Sequence, residues 1–276
     1  MTPASLPDWQ PGTPPAELTA SLFDGELIVV RNLAVVRQLK NRARRIVADL
    51  YGTADLPRTE RLVDPVRFRE LATRARDAVA LDAPLQRLWI ECLAALGFEA
   101  GSLHRDRIKL RVVPSAEPAR GRVVRPLPAH RDTWGSGIDA QINWWLPLHP
   151  LAATRTMIVW PEAFRQPLVN DSADWDYDAL RQDRDRRYPL LPTVREEPPG
   201  PGQPVLIEPG ELLAFSAAHL HAGVADDSGL CRFSLDTRTV WAGDLLARHG
   251  APNVDGYARK ARWEWFRRDA GEQAAR

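Results

Sequence analysis

The chain has 276 residues, 44% hydrophobic and 26% charged. A chain of that length and composition buries a sizeable core, which excludes a disordered, collagen-like or disulfide-stapled protein. Its formal net charge of +1 gives no electrostatic footprint for nucleic acid or an anionic membrane surface, so the expected partner is a small molecule. The two cysteines, Cys92 and Cys231, form no C-x-x-C pair. That speaks against a disulfide framework or a zinc–thiolate site and fits a reducing cytoplasm.

Residues 1–21 are rich in proline (Pro3, Pro7, Pro11, Pro14, Pro15) and lack a basic n-region. They read as a flexible lead-in and not as a secretory signal. Glu26–Arg31 is a short strand candidate. Leu33–Leu50 reads as a helix, with Val35, Val36, Leu39, Ile46, Val47 and Leu50 on one face and Gly52 at its end. Asp64-Pro65 is an N-cap followed by Pro at the first helical position, opening a helix to Asp82. Asp82 caps a third helix from Pro84 to Leu96, closed by Gly97.

The period then changes from helical to alternating. Asp106–Val113, Asp139–Leu146, Thr156–Trp160, Pro204–Glu208, Leu212–Ser216 and Arg232–Val240 read as short strands between Pro and Gly turns. Many such strands argue for an antiparallel sandwich or barrel. Residues 162–203 form a long insertion without strong period, and Tyr257–Arg268 reads as a last helix. No uncharged run reaches the ~20 apolar residues of a spanning helix; the longest are Ala140–Thr154 and Leu212–Ala225. The expected fold is mainly β with flanking helices. It is a single domain over 22–276, with a helical buttress over 33–97, a β core over 106–240 interrupted by 162–203, and a C-terminal helix over 257–268.

The chemistry concentrates in three places. His130-Arg131-Asp132 is an H-x-D pair, and on extended backbone residues two apart point to one side. An imidazole and a carboxylate then converge, as two members of the two-His-one-carboxylate face of an octahedral metal site. His219-Leu220-His221 follows the Leu212–Ser216 strand and offers a third ligand from either histidine. Arg232, Ser234, Asp236 and Arg238 share one strand face by the period of two. A guanidinium and a hydroxyl two residues apart there can hold a carboxylate. On a neighbouring strand Gln141, Asn143 and Trp145 share a face, and so do Lys109 and Arg111 on theirs. These faces read equally as pocket lining or as solvated surface. If Lys109 and Arg111 point inward, the substrate carries negative charge or many hydroxyls.

Taken together, the pattern resembles the Fe(II)/2-oxoglutarate-dependent dioxygenases, nearest the phytanoyl-CoA dioxygenase-like group. The resemblance spans about residues 106–240. It is carried by AHRDTWGSGIDAQINWWLPL and PGELLAFSAAHLHAGVADDSGLCRFSLDTRTV, with 91 positions from His130 to His221 and 11 from His221 to Arg232. It implies a double-stranded β-helix (jelly-roll) core, with Fe(II), 2-oxoglutarate and O2 as cofactor and cosubstrates. It implies His130, Asp132 and His221 as metal ligands and catalytic residues; the spacing to Arg232 favours His221 over His219. Arg232 and Ser234 would hold the far carboxylate of 2-oxoglutarate, with Arg238 as the alternative anchor and Gln141 beside them. Lys109, Arg111, Asn143 and Trp134 are the candidate substrate contacts. Related halogenases carry a small residue where Asp132 stands, so the expected reaction is oxygenation, with hydroxylation of a polar small molecule the default. The rival reading is a cupin-type isomerase or lyase built on His219-x-His221 and Asp226, without 2-oxoglutarate.

Overall fold

The computed structural model describes residues 6–99, 101–115, 126–183, 188–224 and 226–268. Helix α1 (Pro15–Asp24) and strand β1 (Ile28–Val30) precede a helical layer. That layer consists of α2 (Ala34–Tyr51), a short α3 (Thr59–Leu62), α4 (Pro65–Leu81) and α5 (Ala83–Ala95). Val36, Leu39, Ala43, Val47 and Tyr51 recur every three or four residues along α2 and are buried, while Arg37 and Arg45 are exposed. Gly52 ends α2 in the left-handed region, at φ 69°. The Asp64 carboxylate accepts from the Val66 and Arg67 amides at the start of α4. Asp82 caps α5 through the Leu85 amide and also pairs with Arg42 of α2, so one carboxylate both starts a helix and ties it to its neighbour.

The β-rich part follows as β2 (Leu103–Arg105), β3 (Lys109–Val113), a short α6 (Thr133–Ser136), β4 (Gln141–Pro147) and β5 (Met157–Val159). After α7 (Tyr177–Gln182) come β6 (Gln203–Pro204), β7 (Leu212–Ser216), β8 (His221–Gly223), β9 (Arg232–Trp241), α8 (Ala242–Ala247) and β10 (Arg267–Arg268). The larger sheet runs β1-β7-β4-β9-β2-β10, with β3 also on β9; the smaller runs β6-β5-β8. Every pairing is antiparallel. The protein is thus a mainly antiparallel β structure with flanking helices.

β9 organises the large sheet. Its residues 234–240 pair with β4, while its other edge takes β3 along residues 232–236 and β2 along 239–241. The two faces of this sheet are chemically different. Leu110, Val112, Ile142, Trp144, Leu146, Phe233 and Leu235 pack on the helical layer in one large core, where the Trp89 and Trp144 rings meet edge-on at 5.6 Å. The opposite face sends Trp145, Leu213 and Phe215 against Met157, Val159, Val205 and Ile207 of the small-sheet side, closing a second core. The polar residues of that same face lie beyond this core and form the site.

Four expectations differ from the structure. The lead-in carries α1, because Pro14 and Pro15 open a helix whose Leu18, Leu22 and Phe23 are buried; Trp9 also donates its amide to Val29. The strand expected over 106–113 begins only at Lys109, as β3, and a separate strand, β2, precedes it at Leu103–Arg105. At the break the Asp106 amide bonds Arg238 O while the Asp106 carboxylate binds side chains. Pairing at 204–208 is confined to Gln203–Pro204, and Val205 and Ile207 are buried beyond the ladder. In place of a helix over 257–268 there is a 3-10 turn at Trp263–Trp265, followed by β10. The Arg262 amide bonds Ser136 O, and β10 pairs with β2, so tertiary partners take the backbone groups a helix would have used.

Candidate metal centre

His130 and His221 stand opposite each other in an isolated antiparallel bridge, each amide bonding the other's carbonyl at 3.0 Å. Their rings are 4.2 Å apart, centroid to centroid. His130 Nδ1 donates to Pro128 O at 2.8 Å and His221 Nδ1 to His219 O at 3.0 Å. A carbonyl oxygen can only accept, so both rings carry a proton on Nδ1, which leaves Nε2 as the ring nitrogen not held by the backbone. Asp132 lies at the start of α6, with Oδ1 3.5 Å from His130 Nε2. The ligand atoms of His130, Asp132 and His221 all lie within 4.8 Å of one another. Burial pushes the His221 pKa down to about 3, with His130 adding to the effect, so the ring is neutral and ready to ligate.

The carboxylate is braced from behind. Gln141 Nε2 donates to Asn143 Oδ1 at 2.9 Å, and Asn143 Nδ2 donates to Asp132 Oδ2 at 2.8 Å. This relay fixes the plane of Asp132 and leaves Oδ1 toward the histidines. Burial opposes the Asp132 charge, yet His130, His221 and Arg238 hold its carboxyl far below the usual range. Gln141 and Asn143 are therefore buried supports of a ligand and do not line the open cavity.

His219 is not part of the cluster. It is fully buried, with Nδ1 3.1 Å from Ser216 O and Nε2 3.0 Å from Gly25 O. Burial lowers its pKa to about 4. Both ring nitrogens face carbonyls, so it props the turn before β8 and carries no free lone pair toward His221. The rival His-x-His arrangement is thereby contradicted, and Asp226 is taken up by Thr154, Ser228 and Arg155.

Arg232 and Ser234 lie side by side on the inner face of β9. Arg232 is 5% exposed, its guanidinium sits 5.8 Å from the Trp145 ring, and its Nε is buried with no partner among the described residues. Ser234 Oγ is likewise buried and unpartnered. Burial and the nearby Arg111 charge push the Arg232 pKa down to about 10. Gly223, two residues beyond His221 on β8, leaves room between them. A Cβ there would lie 3.9 Å from Arg232 Nη2 and 3.3 Å from the Leu127 amide. The donor set therefore fits the group the sequence implies. Two imidazoles and a carboxylate suit a divalent iron with open positions, and a guanidinium and a hydroxyl without partners among the described residues suit a carboxylate.

Arg238, the alternative anchor, is already engaged. Its Nη2 donates to Asp106 Oδ2 at 2.7 Å, and its guanidinium lies 4.8 Å from the Trp265 ring. Arg111 pairs with Asp236 at 2.6 Å, and Lys109 pairs with Asp106. Lys109, Arg111 and Arg238 line a cavity of about 390 Å³ together with His130 and Asp132. Trp134 does not reach it. Trp134 is fully buried, packs with Ala163, Leu168 and Leu220, and donates Nε1 to Asp255 at 2.7 Å.

Several site residues carry no signal in the sequence. Arg131, between two ligands, is buried and donates to Ala163 O, Gln166 O, Ala218 O and the Asp255 carboxylate. It staples the loop after β5, the turn before His219 and the C-terminal segment around the H-x-D. The cavity wall of Trp175, Tyr177, Leu190 and Leu191 comes from the insertion, whose aperiodic sequence gave no hint which side chains face inward.

No family model and no curated protein matches the chain. Solved structures with similar folds exist at low identity. EvdO2 from Micromonospora carbonacea var. aurantiaca aligns at 17% identity and TM-score 0.41, over 59% of this chain and 62% of its own, so under two thirds of that protein is spanned. SnoN, a non-heme alpha-ketoglutarate-dependent epimerase from nogalamycin biosynthesis, aligns at 16% identity and TM-score 0.41, over 82% and 83%. An oxidoreductase of the 2OG-Fe(II) oxygenase family from Burkholderia pseudomallei aligns at 14% identity and TM-score 0.38, over 92% and 100%. At these identities and TM-scores, nothing of those proteins' chemistry carries over to this chain. No described helix is long and apolar enough to cross a membrane.

Proposed function

We propose that the chain is an Fe(II)/2-oxoglutarate-dependent oxygenase of the phytanoyl-CoA dioxygenase-like kind, hydroxylating a small molecule in the cytoplasm, and that its two sheets form a double-stranded β-helix. One observation carries this reading. Three metal-ligating groups converge near a buried guanidinium and hydroxyl that have no partner among the described residues, with Gly223 of β8 next to the guanidinium.

In this reading His130 Nε2, Asp132 Oδ1 and His221 Nε2 would hold Fe(II). When bound, the metal with 2-oxoglutarate and O2 supplies the oxidising chemistry, yielding succinate and CO2 and delivering one oxygen atom to the substrate. Arg232 and Ser234 grip the far carboxylate of 2-oxoglutarate and set its direction toward the ligands. The Asn143–Gln141 relay keeps Asp132 oriented. The second core, walled by Trp145, Phe215 and Met157, keeps water from the anchor end.

The test is anaerobic addition of Fe(II) and then 2-oxoglutarate, followed by the weak visible charge-transfer band of the chelate. The band should form in the native protein, vanish in His221→Ala and persist in His219→Gln. Absence of both the band and 2-oxoglutarate binding in the native protein would refute the reading. So would succinate formation surviving Asp132→Ala.

A further inference from the structure

Beside the metal ligands, the same cavity carries a second, separate charge arrangement. Lys109 and Arg111 on β3 and Arg238 on β9 share only two carboxylates, Asp106 and Asp236. Among the described residues the group holds one positive charge in excess. The carboxylates lie deeper than two of the three cations. Side chains of Asp106 and Asp236 are 10% and 26% exposed, against 43% for Lys109 and 44% for Arg111. The cavity floor carries all three cations and one of their two carboxylates, Asp106, while Asp236 stands outside the lining. Burial and the neighbouring Arg238 charge lower the Lys109 pKa, as expected where too many cations crowd together. The remaining lining charges are matched: Glu264 pairs with Arg262, and Arg131 with Asp255.

The opposite wall is aromatic and aliphatic. Trp175 and Tyr177 lie 6.1 Å apart, and Tyr177 meets the Trp265 ring edge-on at 5.2 Å. Leu190 and Leu191 complete that side. A volume of about 390 Å³ is in the range of small-molecule sites.

We infer that this chamber is the prime-substrate site and that its substrate is a monoanionic carboxylic acid, with the acid on Lys109, Arg111 and Arg238 and an apolar or ring-shaped body against Trp175, Tyr177 and Trp265. The inference rests on the proposed function in naming the chamber the substrate side and in counting the metal end as neutral. The charge count selects the class. With Fe(II), Asp132, Arg232 and the 2-oxoglutarate dianion in place the metal end is neutral, which leaves a single surplus charge on the floor. A carboxylate cancels it, whereas a phosphate dianion overshoots by one. Arg111 donates its Nε to Asp236, which leaves the outer edge of its guanidinium for a planar two-oxygen acceptor.

The test uses 3-phenylpropanoate, 3-phenylpropanamide and phenyl phosphate as probes, titrated against the full chain by ligand-observed NMR at low salt. The native protein should bind the acid about tenfold or more tightly than the amide, the scale of one charge-assisted contact. Phenyl phosphate should bind no better than the acid. Lys109→Gln should erase the preference for acid over amide, Lys109→Arg should keep it, and Trp265→Leu should weaken both probes alike. Arg232→Met should leave acid binding intact. If the acid instead needs Arg232 and ignores Lys109→Gln, the inference falls while the 2-oxoglutarate reading stands. Equal binding of acid and amide, or a tenfold preference for phenyl phosphate, also overturns it. Acid binding at Lys109 without any 2-oxoglutarate chelate would leave the chamber and refute the cosubstrate instead.

Discussion

Replacing Arg232 by Met should make the ligand-free protein more stable and abolish its response to 2-oxoglutarate. The guanidinium is buried, unpaired among the described residues and held at a pKa of about 10 against its ordinary 12.5. A base whose folded pKa lies below its unfolded value is disfavoured by the fold in its charged form. At pH 7 both states are charged, so the penalty acts in full. That drop corresponds to roughly 3 kcal/mol. The lost contact with the Trp145 face returns about 1 kcal/mol. Met fills similar space without charge, which leaves a net gain of about 2 kcal/mol and a rise in Tm of roughly 4 °C for a chain of this size. The native protein, in contrast, should gain about 2.7 kcal/mol from 2-oxoglutarate at a hundred times its Kd, and the variant nothing. Thermal scans of metal-loaded and metal-free protein, each with and without 2-oxoglutarate, read both effects. A variant that melts lower than the native protein, or that 2-oxoglutarate still stabilises, would refute the reasoning.

Three further outcomes follow from the geometry. Asn143→Ala removes the donor that fixes Asp132 Oδ2 and should weaken divalent-metal affinity about 10- to 100-fold in a chelator competition, and unchanged affinity would remove the relay from the account. His149 is buried, donates Nδ1 to Pro150 O and accepts the Phe233 amide on Nε2, with burial lowering its pKa to about 4. Below its ordinary 6.5 the unfolded chain takes up a proton that the fold refuses, so stability should fall from pH 6.5 to 4 by up to about 3 kcal/mol from this residue. His149→Gln should flatten that slope in denaturant titrations at several pH values, and an unchanged slope would count against it. Arg131→Met leaves Asp255 buried without its cation and should cost about 3–5 kcal/mol, of which Asp255→Asn added to it should recover part; equal stability of native and single variant would deny the staple.

Local signals in the sequence were enough for the elements whose stability is local. Asp64-Pro65, Asp82 and Gly52 mark helix ends through hydrogen bonds made within a few residues, and the structure places those ends there. The convergence of His130, Asp132 and His221 was also legible, because the H-x-D and the second histidine each flank a recognisable strand or turn. The sequence could not show which face of β4 and β9 turns inward, since β4 is buried on both sides and β9 along most of its length, and alternation alone is symmetric. The C-terminal segment misled for a related reason. Its aromatic spacing suits a helix, but Phe266 is buried and β10 pairs with β2, a contact set by residues far away in the chain. Asp255 joins Arg131 across 124 positions and has no neighbouring motif to announce it.

The unsatisfied groups show where function competes with stability. Buried polar atoms in native proteins normally have partners, so the exceptions call for a cause. Among the described residues, Gln141 Oε1, Arg232 Nε, Ser234 Oγ and Asp236 Oδ1 are four of the nine such side-chain atoms, and all sit on the inner face of β4 and β9. The opposite face of the same two strands carries Ile142, Trp144, Leu146, Phe233 and Leu235 against the helices. Had the inner face served only to close a sandwich, apolar residues there would have stabilised it further. Nor do Arg232 and Arg238 play the same part on that face. Arg238 is matched by Asp106 and covered by Trp265, whereas Arg232 has a hydroxyl beside it, an aromatic face behind it and no counter-charge among the described residues. A buried cation left in that state is most simply explained by a ligand that brings the missing carboxylate.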